Sequence, residues 1–410
     1  MTWDRIQVDL ILKNLDIFPV VAIVGPRQVG KSTIAQLKEI GKGRKYYTLD
    51  DFNTLDILKK ESGTIIEQDE LITIDEVQKL PEILVEIKKQ VDKKRIPGKY
   101  LLTGSADLSF AANISKILAG RIGIIEMYPL TWREVEEKKG IPWFINYLNG
   151  KAKNIPSAKH DKTKMKLDEI ILKGGYPLAL LPKNLEDTRI WHEGYKQSYL
   201  EREIKQFTEV QHISEFSKLL SLCSSRTAQL LNQANLSRDS GLSTMTLSRY
   251  LNLLEATFQI KRLQPYFVNI SKRQVKSPKI YWWDTGMATH LLGLNSIAEI
   301  KKNNLWGHIF ETFVIMQIET YLKAFKPSAQ LYFWRTHSNL EIDGLIIDGL
   351  HKLPFEIKAS TNLSYNDAKS LREFINLEKE CKKGFIFYSG KEPIELGKNI
   401  LGLPVSTLIS

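Results

Sequence analysis

In the first third of the chain the apolar residues come as short unbroken runs. Val20 to Val24, the LITI beginning at Leu71, Tyr100 to Thr103, and the IGII within AGRIGIIEMYPL are each closed by glycine or by charge. Runs this short with such flanks predict buried strands. Between them apolar residues recur at helical spacing, as in PEILVEIKKQVDK with Pro81 in its first turn. Strand and helix in alternation predict a parallel sheet wrapped by helices on both faces.

The pattern then changes. Residues 149–168, NGKAKNIPSAKHDKTKMKLD, are Lys-rich and without period, which predicts an exposed loop or linker. LKGGYPLALL follows with a Gly-Gly turn, and WHEGYKQSYLEREI continues as a helix. Residues 235–255 have helix-turn-helix grammar: a short helix ends at Gly241, and Ser243 caps a second one carrying Met245, Leu247, Tyr250, Leu251 and Leu254. Its polar face offers Thr244, Ser248, Arg249 and Asn252 to a groove. Extended structure is predicted over Ile260 to Pro265, and the basic ISKRQVKSPKIYWWD then has the character of a wing.

In the back third, EIDGLII and KLPFEIKA flank a Asp348-Gly349 turn signal and predict a β-hairpin. With Asp348 to His351 as a four-residue loop, Ile347 opposes Lys352 and Asp343 faces Glu356. Two facing carboxylates repel unless a cation bridges them, and Mg2+ takes oxygen ligands readily. Lys358, on the same face as Glu356, would position or activate a metal-bound water. Upstream, Glu311 lies in line with Ile315, Ile318 and Leu322 on a predicted helix, so a carboxylate sits on an apolar stripe and wants a cation or donors.

Composition narrows this picture only modestly. A chain of 410 residues is too long for one ordinary core and predicts two or three domains. Lys and Arg number 58 against 47 Asp and Glu, a net charge of +11 that favours an anionic partner. Cys223 and Cys381 are the only cysteines, which excludes a disulfide framework or a cysteine zinc site. The N-terminal MTWDRIQVDLILKNL mixes charge with apolar residues at helical spacing, unlike a signal peptide. No apolar run approaches the ~18 residues of a membrane span. The expectation is a cytoplasmic protein without a membrane partner.

The most specific chemistry is in VVAIVGPRQVGKST. A strand, a Gly-rich loop and a helix start give GxxxxGK(S/T) its structural context. Gly25 and Gly30 permit turns that a Cβ would block, so the N–H groups of Gly25, Pro26, Arg27, Gln28, Val29, Gly30, Lys31, Ser32 and Thr33, proline apart, can converge on phosphate oxygens. Lys31 would reach the β- and γ-phosphates and Ser32 would bind Mg2+. At the end of LITIDE, Asp75 would hold the Mg2+ shell and Glu76 would orient or deprotonate the attacking water. Thr103 or Ser105 is placed to sense the γ-phosphate from the next strand. Arg121 would reach a nucleotide on a neighbouring subunit or make a structural ion pair.

Taken with GPRQVGKST, LITIDEVQKLP, LLTGSADL, LAGRIGIIEMYPL, GGYP, YLEREI, GHIFETFV, EIDGLI and FEIKAS, the chain resembles prokaryotic AAA-superfamily P-loop ATPases. Their C-terminal part is a domain of unknown function with winged-helix and PD-(D/E)xK nuclease-like elements. The resemblance runs over nearly all of the sequence and departs at Glu203, where Asp is expected. It implies ATP as the nucleotide. It also implies that Glu311, Asp343, Glu356 and Lys358 match the nuclease-fold positions, with Asp343 and Glu356 as metal ligands. The expected domains are an AAA-type ATPase at 1–145, a helical lid and basic linker at 146–215, a winged-helix-like domain at 216–295, and an α/β restriction-endonuclease-like domain at 296–410. Three functions follow: an ATPase acting with DNA, a nucleotide-dependent protein-binding switch on a silent nuclease-like scaffold, or an ATP-gated, Mg2+-dependent endonuclease. Homo-oligomers are compatible with all three.

Overall fold

The structure is a computed structural model. It describes residues 3–105, 114, 116–152, 154–156, 163–200, 213–267, 277–336, 340–378 and 380–410. Most of the basic run around residue 160, the end of YLEREI with Glu203, and the basic part of the expected wing lie outside these residues. The chain forms two compact units, one of Asp4–Pro129 with Asn252–Gln259 and one containing Leu130–Leu251 and Ile260–Ser410. The break expected near residue 145 therefore falls at Leu130. The reason is local: the Trp132 N–H donates to Gln317 Oε1 (2.8 Å) and Arg133 Nη1 to the Ile409 carbonyl (2.7 Å), which ties this segment to the rear unit.

The front unit is built on five parallel strands: β1 (Val20–Gly25), β2 (Arg44–Thr48), β3 (Leu71–Asp75), β4 (Tyr100–Ser105) and β5 (Ile122–Glu126). Their order is β2-β3-β4-β1-β5, so β1 is flanked on both sides, and it is buried along its whole length. That is why it reads as a continuous apolar run rather than an alternating one. The helix Ile83–Lys93 buries Ile83, Leu84, Ile87 and Val91, the stripe its period predicts, in the same core as Val20, Ile72, Ile74 and Leu102. Phe258, from the segment that returns to this unit, packs edge-on against Tyr128 with ring centroids 5.7 Å apart.

The rear unit holds two sheets. Strands β6 (Gln229–Leu230), β7 (Ile260–Leu263) and β8 (Lys279–Trp282) form a small antiparallel sheet in the order β6-β8-β7. In sequence, helix Ile213–Ser225 precedes β6, and helices Gln233–Ser240 and Thr244–Ala256 follow it. Gly241 closes the first of these two in the left-handed region (φ 79), and Ser243 Oγ accepts the Thr246 N–H (3.1 Å) at the start of the second.

The larger sheet has the order β13-β14-β12-β11-β10-β9, from β9 (Gln330–Arg335), β10 (Glu341–Asp348), β11 (His351–Lys358), β12 (Gly384–Tyr388), β13 (Ile394–Glu395) and β14 (Ile400–Pro404). A long helix, Trp306–Phe325, precedes it, and helix Lys369–Leu377 links β11 to its parallel neighbour β12. Backbone bonds join the two sheets: Tyr266 N–H to the Phe333 carbonyl (2.6 Å) and Phe333 N–H to the Gln264 carbonyl (3.2 Å).

The hairpin pairs Ile347 with Lys352, as expected, but Asp348 pairs with His351. The turn is thus the two residues Gly349 and Leu350, with Gly349 at φ 59, not four. The sum of paired positions is unchanged, so the register survives the shorter turn. Against β9 the register of β10 shifts between Ile342 and Leu345, an irregularity that spans Asp343. Gly344 sits inside it, under the Phe355 ring, where a Cβ would collide.

The GGYP turn has a separate explanation. Gly175 N–H donates to Asp284 Oδ2 (2.6 Å), and Met287 N–H donates to Asp284 Oδ1 (2.7 Å), so one carboxylate holds a turn and caps a helix. A Cβ on Gly174 would collide with that carboxylate. Burial raises the Asp284 carboxyl to about 6 despite these donors.

Gly344→Ala is expected to lower stability by about 1–3 kcal/mol in urea unfolding, since the added methyl overpacks a buried ring. Asp284 gives a pH signature. Its folded pKa lies above its unfolded one, so its contribution to stability rises as pH falls through the interval between them. Relative to Asp284→Asn, the wild type should gain up to about 2–3 kcal/mol between pH 7 and pH 4. Parallel pH profiles for the two proteins would count against this assignment.

Candidate functional site

The loop between β1 and the helix Lys31–Ala35 is strained and enclosed. Gln28 (φ 62) and Gly30 (φ 95) are both left-handed, which turns successive N–H groups into a concavity. A Cβ on Gly25 would collide with the Met127 carbonyl oxygen, so the chain passes there only without a side chain. Below the loop Val29 is fully buried, and Arg5 clamps it by donating to the Val29 carbonyl (2.8 Å) and the Tyr128 carbonyl (2.6 Å). Nothing in the sequence singles out Arg5, because its partners are backbone atoms distant in the chain.

Lys31 folds back over this concavity. Its Nζ donates to the carbonyls of Gly25 (3.1 Å) and Pro26 (2.7 Å), and the residue is 5% exposed. Burial lowers its pKa to about 8, with Glu76 and Asp75 pulling the other way. A buried ammonium hydrogen-bonded to neutral carbonyls still demands an anion.

Asp75, at the end of β3, collects hydroxyls. Ser32 Oγ donates to its Oδ1 (2.9 Å), as does Thr103 Oγ1, while Tyr46 Oη donates to its Oδ2 (2.7 Å). Burial first, and then the Asp75 hydrogen bond, raise the Tyr46 pKa. Ser32 and Asp75, from separate segments, are thus brought together. Thr103 turns to the carboxylate, and Tyr46 was not legible because β2 enters the sheet beside β3 only in three dimensions.

Glu76 follows in the left-handed region (φ 56), a costly conformation for a residue with a Cβ. Gln78 Nε2 donates to Glu76 Oε2 and to Ser105 Oγ (2.8 Å), so Ser105 is linked to Glu76 through Gln78. Gln78 Oε1 is buried without a partner. Arg121 donates through Nε to Asp92 and through Nη1 to the Ala119 carbonyl (2.8 Å), an ion pair within its own unit.

These residues fit a nucleoside triphosphate with its magnesium ion. The backbone of Gly25 to Thr33 and the Lys31 ammonium would hold phosphate oxygens. Ser32 and Asp75 offer the oxygens a hard cation takes.

The rear unit brings together Glu311 from the long helix, Glu341 and Asp343 from β10, and Glu356 and Lys358 from β11. Asp343 Oδ2 accepts the Ile357 N–H (2.8 Å), and Lys358 Nζ donates to Glu356 Oε2 (3.2 Å). The residue the sequence did not single out is Lys279 of β8. Its Nζ lies 2.8 Å from Glu311 Oε1, 2.6 Å from Glu341 Oε1 and 3.4 Å from Asp343 Oδ1. Tyr281 Oη also donates to Glu311 Oε1 (2.7 Å). Burial raises the Glu311 carboxyl to about 7, with the Asp343 charge adding to it. Burial and the neighbouring Asp343 raise Glu356 well above the carboxylate range. Burial acts to raise Asp343 too, but Lys279 and Lys358 outweigh it and hold that carboxyl below its usual range. Among the described residues, no group of three or more His, Cys, Asp or Glu side chains is arranged to hold a metal ion. The metal expected between Asp343 and Glu356 therefore has no such cage, and the nearest cations are lysines.

A five-stranded parallel sheet in which an interior strand runs into this loop, with Ser32 and Asp75 joined beneath it, defines an AAA-type P-loop domain. Residues 18–136 match the family described as AAA domain; residues 164–298 and 306–408 match two domains of unknown function, DUF8612 and DUF4143. The chain thus carries an AAA-type P-loop domain at 18–136 and a DUF4143 domain at 306–408. It is 29% identical over 394 residues to the uncharacterized protein Rv2008c of Mycobacterium tuberculosis and equally to Mb2031c of Mycobacterium bovis, spanning 96% of this chain and 81% of each relative. Among solved structures, a Walker-type ATPase of Pyrococcus abyssi aligns with TM-score 0.43 and 15% identity over 71% of this chain and 96% of its own. RuvB of Thermotoga maritima aligns with TM-score 0.29 and 18% identity over 62% of this chain and 87% of its own. Among the described residues, no helix is long and apolar enough to cross a membrane.

Gly25→Ala should weaken binding of a fluorescent ATP analogue at least about tenfold, since displacing the Met127 segment costs more than about 1.4 kcal/mol. Titration by anisotropy checks this, and unchanged affinity would refute the close-approach argument.

Proposed function

We propose that this protein hydrolyses ATP at the front site and uses the cycle to act with nucleic acid, in the first instance DNA, through its rear unit. The observation that carries the first half is the buried Lys31 ammonium above the Ser32–Asp75 pair. Magnesium bound with the triphosphate would supply charge neutralisation at the phosphoryl oxygens. Glu76 would take the proton of the water that attacks the γ-phosphorus as the bond to the bridging oxygen breaks. Gln78 positions that carboxylate and ties it to Ser105 at the end of β4. Arg121 has its partner in its own unit, so a role across a subunit boundary in an oligomer would require it to leave Asp92.

The second half rests on the rear unit's order of elements. Helix, strand, two helices and two strands closing one small antiparallel sheet support a winged-helix reading. Thr244, Arg249 and Asn252 are exposed on its second turn-linked helix, with Ser248 half-buried, and the chain carries +11. The long helix, the β9–β10–β11 meander and the helix crossing to parallel β12 support a restriction-endonuclease-like reading of the back third. A second reading, a nucleotide-dependent protein-binding switch on a silent nuclease-like scaffold, is favoured by the Lys279 ion pairs. The ATP-gated endonuclease reading needs a metal at Asp343 and Glu356. A cytoplasmic setting fits the DNA reading.

ATP turnover should rise when duplex or single-stranded DNA is added. It should vanish in Lys31→Ala and fall by about a hundredfold or more in Glu76→Gln while nucleotide binding persists. Turnover indifferent to every form of DNA, with a protein partner retained only in the ATP state, would replace this reading by the switch.

A further inference from the structure

Lys279 is a deeply enclosed charge of the rear unit, with its side chain 3% exposed. It stands on β8 of the small sheet, while the carboxylates around it come from the long helix and from β10. An ammonium has three N–H donors, and three carboxylates, those of Glu311, Glu341 and Asp343, surround this one. The Phe333 ring flanks it, with its centroid 5.8 Å from Nζ. Burial alone would favour a neutral amine here, and the surrounding acids outweigh it, so the lysine stays charged.

Cations of the fold already stand against these carboxylates. Glu311, Glu341 and Asp343 are met by Lys279, Lys358 and Arg335, the last of which donates to Glu341 Oε2 (2.8 Å). Glu356 accepts a hydrogen bond from Lys358 Nζ (3.2 Å). A divalent cation at this place would use the oxygens of Asp343 and its neighbours that Lys279 already occupies. It would have to displace the lysine ammonium from them.

We propose that Lys279 is the resident cation of this cluster, standing where a divalent metal would otherwise bind, so that the rear unit holds no catalytic metal and does not cleave phosphodiesters. The two sheets are stapled by the same contact. Whether the front unit hydrolyses ATP is a separate matter, and ATP turnover is measured alongside so that the two readings fail independently.

The test uses the full chain without nucleotide and Mn2+ as the probe, with free Mn2+ counted by electron paramagnetic resonance. Wild type and Asp343→Asn should give the same isotherm, since any weak binding at the front site is common to both. Lys279→Ala, purified with Mn2+ present, should gain one equivalent that Lys279→Ala/Asp343→Asn lacks. Wild type should leave supercoiled plasmid intact in Mn2+. An Asp343-dependent Mn2+ site or Asp343-dependent nicking in the wild type would overturn the proposal, as would a soluble Lys279→Ala that gains no site. Where Lys279→Ala does not fold, the comparison of wild type with Asp343→Asn decides alone.

Discussion

A lysine ammonium taken out of water has to be answered by negative charge, and the two units answer it in opposite ways. Lys31 is buried among neutral carbonyls, with acids near but not bonded to it. Its demand stays open, which is what a binding site for an anion requires. Lys279 is buried among three carboxylates, and its demand is closed within the fold. The same group is thus poised for a ligand in one place and structural in the other. The difference lies in partners, not in burial.

The front site depends on where the parallel strands end. Because β1 lies between β4 and β5, and β3 adjoins β4, the loop after β1, the acids after β3 and Ser105 at the end of β4 meet at one edge. Small departures from regular backbone complete it: Gln28, Gly30 and Glu76 in left-handed conformation, and Gly25 pressed on the Met127 carbonyl. Strain of this kind persists only where packing over-determines it. Here Arg5 and the buried Val29 do so from beneath the loop.

In the rear unit a register irregularity matters as much as residue identity. The shift between Ile342 and Leu345 spans Asp343, whose carboxylate meets the Ile357 N–H on one side and Lys279 on the other. Gly344 allows it by leaving room for the Phe355 ring. The hairpin alone would leave two carboxylates facing each other. The neighbouring sheet supplies the cation that makes their burial tolerable.

Local signals were enough for much of this. Unbroken apolar runs announced the parallel strands, the glycine and lysine spacing announced the phosphate loop, and the alternation in EIDGLII and KLPFEIKA set a register that a shorter turn did not alter. Each of these is encoded within a few residues, because strand period and turn chemistry are short-range properties. Arg5, Tyr46, Gln78 and Lys279 were not legible, since each acts on a partner outside the pattern of its own segment. The sequence by itself determined which segments carry phosphate-binding and acidic chemistry. Only the tertiary structure decided which cation each buried carboxylate meets, because that depends on strands brought side by side from distant parts of the chain.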